Sequence, residues 1–338
     1  MIENRGGVKI ASTLPDVKST SAYKPNDILL SNIRPYFCKI WFADKKGSCS
    51  NDVLVVRAKK EIDPKFLYYV LSDQNFFNWD SMTSKGTKMP RGTPNAIMKY
   101  SVPDLPFHTQ EKIASILSAY DNLIQNYKKQ IEALQTAASE LYKEWFVRFR
   151  FPRYQTTKFE NGIPKGWKVE KLGTLANIST GKCNREDAEE DGIYPLFDRS
   201  QEIKKSNEWI KDCEAIIVPG EGTSFIPRYY KGKFNLHQRC YCVEPKYPNF
   251  GKFLFYVLML NRKYFLSVAT GATVPSLRYN NFASMKFVLP EMSLCNNFNK
   301  IADDIFAKVD NLQQQITNLT QQRDLLLPRL MSGKLEME

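Results

Sequence analysis

The sequence predicts an α+β protein in which two repeated α/β domains are separated by two long antiparallel coiled-coil helices. Three observations carry this. FLYYVL at residues 66–71 returns as FLFYVL at 253–258, 187 positions later. The segments after each copy keep the same order. Each copy then runs into a heptad pattern longer than an ordinary packed helix needs.

The neighbours of the phrase rule out coincidence. SKGTKMPRGTPN follows the first copy and TGATVPSLRYNN the second, with glycine, threonine, proline and arginine in matching order. A short apolar strand ending in proline comes next, SVPDLP and then KFVLP, and after it EKIASILSAYDNL or NKIADDIFAKVDNL. At 338 residues the chain exceeds the size at which single cores usually split. The repeat says where the division falls.

Within each half the strands come first. DILLSNIRPYFCKIWFA and DVLVVRA in the first half, and EAIIVPGEGTSFIPRYY and RCYCVEP in the second, are β-branched and aromatic runs between turn residues. FLYYVL follows Asp63 and Pro64, an N-cap and a proline at the first helical position, so it is a helix. Phe66, Leu67, Val70 and Leu71 share one face, as do Phe253, Leu254, Val257 and Leu258, the spacing of a helix packed on a sheet. The phrase is therefore core.

The rods come last. Ile113, Leu117, Tyr120, Ile124, Tyr127, Ile131, Leu134, Ala138, Leu141 and Trp145 alternate steps of four and three, and so do Ala302, Ile305, Val309, Leu312, Ile316, Leu319, Leu326 and Leu330, with Arg323 as a polar intrusion. Heptads over about four repeats predict rods of roughly 50 Å that bury their seams against each other. The expected interface is Ile113, Leu117, Ile124, Ile131, Leu134 and Leu141 against Val309, Leu312, Ile316, Leu319 and Leu326. Thr109 and Ser293 are the expected N-caps, Pro328 the expected stop and Gly333 the C-cap.

Composition bounds the function. The net charge of +12, with pI near 9.2, is spread over both halves and points to a polyanionic partner. No apolar run approaches the roughly 20 residues of a membrane helix, and MIENRGGVKI has no signal core, so a cytoplasmic protein is expected. Seven cysteines without a CxxC pair read as reduced thiols, and two histidines, His108 and His237, give a zinc site little to build from. There is no phosphate loop, GxGxxG, HExxH or GxSxG, and no Asn-Pro-Pro or Asp-Pro-Pro run of the kind that lines a methyltransferase target-base site. Glu244 and Lys246 have a nuclease-like spacing without an acidic partner, which a strand end explains better.

What remains is binding. Lys85, Thr87, Lys88, Arg91, Thr93 and Asn95 stand after the first repeated helix, and Thr270, Thr273, Ser276, Arg278, Asn280 and Asn281 after the second. Arg and Lys donate to guanine edges or phosphates, Asn pairs with adenine, and glycine lets backbone approach a duplex. Arg34, Ser224 and Arg228, in the strand-end loops, complete the candidate set.

AYDNLIQNYKKQIEALQTAASELYKEWFVRFRFP, GIPKGWKVEKLGTLANISTGK, RDLLLPRLMSGKL, KPNDILLSNIRP and SKGTKMPRG together resemble the specificity subunits of type I restriction-modification systems, over nearly the whole chain. The resemblance implies target-recognition domains at 1–107 and 167–291, helices at 108–150 and 292–338, and a linker at 151–166. It implies a subunit without catalysis that reads a split double-stranded DNA site and recruits modification subunits, two of them expected, and restriction subunits. No cofactor is expected on this chain; S-adenosylmethionine, ATP and Mg2+ would belong to the partners.

One departure stands out. Trp167 opens the second half 47 residues before the strand at Glu214, whereas only 26 residues precede the matching strand at Asp27. The first domain is expected to lack about 20 to 40 peripheral residues. Rival readings are a subunit reading only one half-site, a small DNA endonuclease acting alone with magnesium, and a coiled-coil adaptor with no DNA role.

Overall fold

The computed structural model describes residues 1–9 and 19–331. Contacts divide the chain into two units: Met1–Lys129 with Leu312–Glu338, and Gln130–Asn311. Each long helix contributes to both. Gly333 lies outside the described residues.

In the first unit β1 (Ser21–Tyr23), β2 (Ile28–Ser31), β3 (Ile40–Phe42), β4 (Gly47–Cys49) and β5 (Val53–Val56) precede α1 (Pro64–Ser72), α2 (Gln74–Thr83), α3 (Pro94–Ile97) and the helix α4 (Phe107–Tyr142). The sheet is antiparallel in the order β3-β2-β5, with β1 and β4 as a separate ribbon. FLYYVL lies in α1, whose start is fixed as its sequence dictates: Pro64 opens the helix and the Asp63 carboxylate accepts from the Phe66 amide at 2.7 Å. Leu71 packs with Ile28, Leu30 and Ile40 of the sheet, while Phe66, Tyr69 and Val70 pack with Ile113, Ala114 and Leu117 of α4. Two buried faces explain why the phrase is apolar nearly all round.

The second unit repeats this frame and extends it. β6 (Phe159–Glu160), β7 (Ile163–Pro164), β8 (Lys168–Lys171), α5 (Leu172–Leu175), β9 (Ala176–Thr180), β10 (Tyr194–Phe197), β11 (Lys204–Ser206), β12 (Lys211–Pro219), β13 (Arg228–Leu236) and β14 (Cys240–Pro245) precede α6 (Gly251–Leu260), α7 (Arg262–Val268), α8 (Tyr279–Ala283), β15 (Lys286–Leu289) and α9 (Met292–Met331). Its main sheet runs β11-β10-β13-β12-β14-β9. FLFYVL lies in α6, and Phe253, Leu254, Val257 and Leu258 are all buried. β15 is held by β8, but SVPDLP, expected as the matching strand, has no such partner among the described residues and stays irregular.

The long helices bury five of the eleven expected seam positions, and the other six are half-buried. In the first unit Ile113 and Leu117 share a core with Leu327, Leu330 and the half-buried Leu326, and Arg323 pairs with Asp121, so the two segments run antiparallel. Ile124, Leu312 and Ile316 are also buried, and Leu319 is half-buried. In the second unit Phe298 meets the rings of Tyr142, Trp145 and Phe146, Ile131, Leu134 and Val309 are half-buried, and Leu141 packs at the edge of the core. A π-helical turn at Lys143–Val147 follows α4, where the fully buried positions are Tyr142 and Phe146 rather than Leu141 and Trp145.

Three end signals need correction. Thr109 and Ser293 lie inside their helices: the Pro106 carbonyl receives the amides of Thr109 and Gln110, and the Glu291 carbonyl those of Leu294 and Cys295. α9 also runs through Pro328 to Met331. A proline so close to the end of a helix removes few ladder bonds, and buried Leu327 and Leu330 anchor that last turn.

Candidate nucleic-acid interface

After α2 the chain makes a small loop closed by paired backbone bonds: Lys85 and Arg91 exchange amide and carbonyl at 2.9 Å each. After α7, Thr270 and Ser276 do the same at 2.9 and 2.7 Å. Gly86 and Gly271, with φ of +97° and +120°, supply the left-handed backbone that each loop requires.

Each loop then docks on the strand-end loop of its own sheet. Arg34 donates its amide to Pro90 at 2.8 Å and Gly92 donates to Asn32 at 3.1 Å; in the second unit Gly222 donates to Pro275 at 3.0 Å and Leu277 to Gly220 at 2.8 Å. Asn32 donates to the Asp52 carbonyl, and Gly220 to that of Arg239, both at 2.8 Å. The repeat is thus reproduced bond for bond, with Asp52 standing where Arg239 stands and Arg91 where Ser276 stands.

On this frame Lys85, Thr87, Lys88, Arg91 and Asn95 project as exposed side chains in the first unit, as do Thr270, Thr273, Arg278 and Asn280 in the second. Ser276 is half-buried and its hydroxyl donates to the Val274 carbonyl at 3.3 Å. Thr93 and Ser224 are also half-buried, and Ser224 offers its carbonyl to Arg262 at 2.9 Å. Asn281 caps α8, accepting from the Arg278 amide at 2.6 Å. Arg34 sits at φ 52°, where its counterpart is Gly222, with its guanidinium 5.9 Å from the Phe37 ring. A non-glycine residue there costs roughly 1–2 kcal/mol.

Arg228 does not belong with these residues. Its guanidinium donates to the carbonyls of Ser200, at 2.8 Å, and Asp198, at 2.5 Å, and lies 5.0 Å from the Phe197 ring. Burial lowers its pKa from the ordinary value. It ties β13 to the loop after β10. Glu244 and Lys246 are likewise tied down, the first near Lys211 at 3.7 Å and the second to the carbonyls of Gly173 and Thr174.

Sequence reasoning missed two arginines. Glu221, half-buried beside Ser276, accepts from Arg199 at 2.8 Å and forms an ion pair with Arg239 at 3.2 Å. Arg239 and Arg278 line one shallow cavity of about 90 Å3 with Gly220, Gln238, Tyr241 and Leu277. Burial raises the Tyr241 pKa against the pull of both guanidinium groups. The Arg239 amide bonds Nδ1 of buried His237 at 3.0 Å, which sets the turn. The signal was in the repeat: Arg239 precedes β14 as Asp52 precedes β5.

In the first unit Arg91 meets Asp52 at 2.6 Å. Fully buried Asp80, below the loop, has no hydrogen-bond partner among the described residues, and burial pushes its carboxyl up to about 6.

Two copies of one frame, each presenting loops rich in cationic and amide side chains, define a recognition protein. The chain belongs to the family of the type I restriction modification DNA specificity domain, whose model matches residues 5–136 and 164–324. It is 25% identical over 317 residues to the type I restriction enzyme MjaIX specificity subunit of Methanocaldococcus jannaschii, covering 83% of this chain and 71% of that protein. To the type I restriction enzyme EcoDI specificity subunit of Escherichia coli it is 31% identical over 180 residues, 52% of this chain and 40% of that one. The crystal structure of a type I restriction-modification S subunit from M. genitalium has the same fold, with a TM-score of 0.60 at 21% identity, covering 98% of this chain and 88% of that chain. Among the described residues no helix is long and apolar enough to cross a membrane.

Proposed function

We propose that this chain is the specificity subunit of a type I restriction-modification complex, reading a two-part duplex DNA target with its two units. The carrying observation is the loop frame repeated bond for bond with different side chains on it, which suits two half-sites of different sequence. The long helices fix the spacing and offer their outer faces to modification and restriction subunits. Catalysis, with S-adenosylmethionine, ATP and Mg2+, belongs to those partners, and this chain decides where they act.

The test is the modified target of the assembled complex. The expected motif has two blocks, and binding weakens steeply with salt. Exchanging residues 167–291 for those of another specificity subunit changes one block and leaves the other. An exchange that changes both blocks, or neither, overturns the proposal.

A further inference from the structure

Both units hold exposed guanidinium groups against a carboxylate in this loop frame, one in the first unit and two in the second, and they draw the partners from different segments. In the first unit Arg91 comes from the loop after α2 and Asp52 from the residue before β5. In the second, Arg239 comes from the residue before β14 and Glu221 from the loop after β12, with Arg199 on the other carboxylate oxygen. The ion pair has been kept while its donors moved. The side chains of Arg91, Arg199 and Arg239 are 47%, 46% and 53% exposed, so each keeps N–H groups facing outward.

A carboxylate beside a guanidinium does two things. It cancels part of the charge, which weakens attraction to phosphate, and by holding one terminal nitrogen it restrains the side chain, which leaves the rest of the fork for parallel hydrogen bonds to one flat acceptor edge. The flat double acceptor that DNA presents in the major groove is O6 and N7 of guanine. Lys85 and Lys88, exposed and with no carboxylate partner among the described residues, have the opposite character and suit phosphate.

Resting on the function proposed above, we infer that each half-site contains a guanine read by a carboxylate-held arginine: Arg91 on Asp52 in the first unit, and Arg239 on Glu221, buttressed by Arg199, in the second. Arg239 and Arg278 flank the same cavity.

The experiment uses the full chain assembled with its modification subunits, with the target first defined by mapping modified adenines. Wild type is then compared with Arg239→Ala, Arg239→Lys, Glu221→Gln and Lys88→Ala on duplexes varied one base at a time. Discrimination at one guanine, in one half-site only, should fall about 10- to 100-fold in Arg239→Ala and nearly as far in Arg239→Lys, which keeps the charge but loses the fork. Glu221→Gln should relax the same position. Lys88→Ala should weaken all duplexes alike and reduce the salt slope by about one. Replacing that guanine by 7-deazaguanine should weaken wild type and leave Arg239→Ala unaffected. The inference is overturned if Arg239→Ala weakens every duplex equally with a reduced salt slope, or if the half-site holds no guanine. A complex that modifies no defined two-part target removes the functional reading, and this inference with it. A two-part target on which Arg239→Ala relaxes nothing removes only the inference.

Discussion

Arg323, the polar interruption of the second heptad run, should set the register of the long helices in the first unit. Its guanidinium donates to Asp121 at 2.6 Å, and the Tyr69 hydroxyl donates to the same carboxylate at 2.7 Å. Burial works to lower the Arg323 pKa, but the carboxylates of Asp121 and Asp324 together outweigh it and hold the group above its ordinary value. The two charged side chains are 20% and 28% exposed. Removing one partner of a fully buried pair costs about 3–5 kcal/mol, and the water still reaching this pair brings the figure to about 2 kcal/mol for Arg323→Ala or Asp121→Ala. Both changes delete the Arg323–Asp121 bond, while Arg323→Ala also loses Asp324 and Asp121→Ala also loses the Tyr69 hydroxyl, so the double variant should cost less than the sum of the singles, a coupling of about 1–2 kcal/mol. Tyr69→Phe should cost about 1 kcal/mol. The assay is hydrogen exchange across residues 107–129 and 312–331, which reads this unit's opening energy separately from the other. Strictly additive costs, with coupling under about 0.3 kcal/mol, would refute a register role.

The remaining predictions concern two other buried polar groups and one buried glycine. Asn299 on α9 accepts from the first amides of α6, Lys252 at 3.1 Å and Phe253 at 3.3 Å, as Gln110 on α4 accepts from Asp63 ahead of α1 at 2.9 Å. Asn299→Ala orphans buried donors and should destabilise the second unit by about 1–3 kcal/mol in urea titrations, while Asn299→Asp should recover part of it. Asp80 binds its proton more tightly folded than unfolded, so stability should fall as pH rises from about 4 to 6 and stay lowered above, by on the order of 2–3 kcal/mol. Asp80→Asn should flatten that profile and raise the first unit's melting temperature at pH 7.5; a wild-type melting temperature unchanged between pH 5 and 7.5 would contradict this. A methyl group on Gly181 would strike the Leu236 carbonyl, so Gly181→Ala should cost about 1–3 kcal/mol in thermal unfolding and shift the loop carrying Lys182.

Local signals were legible wherever one residue's own chemistry decides. Asp63-Pro64 starts α1 because a carboxylate and a ring-locked φ act within three residues of the cap. The heptads pointed to the positions that are buried at Ile113, Leu117, Ile124, Leu312 and Ile316 because burial on a helix is periodic. Helix ends were misread because hydroxyl residues at Thr109 and Ser293 fit a rule that the Pro106 and Glu291 carbonyls had already satisfied. Gln110 and Asn299 were invisible because each serves an amide 47 positions away. Arg199 and Arg239 were passed over for the same reason: Glu221, the carboxylate that holds both, lies in a third segment.

The two copies also differ in a way that packing alone does not require. Where the second unit fills the space under its loop with Phe265 and Leu277, both buried, the first has Asp80 and Gly92, with the Asp80 carboxylate occupying the position a Gly92 side chain would need. Where the second has Gly222 in the turn, the first tolerates Arg34 in a left-handed conformation. An apolar pair and a glycine are the stable solution, and this chain contains it. The first unit departs from it at three positions that cluster around one loop, at a cost of several kcal/mol by the usual penalties for an unpaired buried carboxylate and a strained backbone. Strain and unpaired polarity concentrated beside the exposed Lys85, Lys88 and Arg91 fit a surface shaped for a ligand rather than for stability. Restoring the second unit's solution with Asp80→Phe and Gly92→Leu together should stabilise the first unit, measured as slower hydrogen exchange, and should impair recognition of its half-site alone. Stabilisation with recognition intact would separate the buried pair from function and leave the exposed cations to account for it.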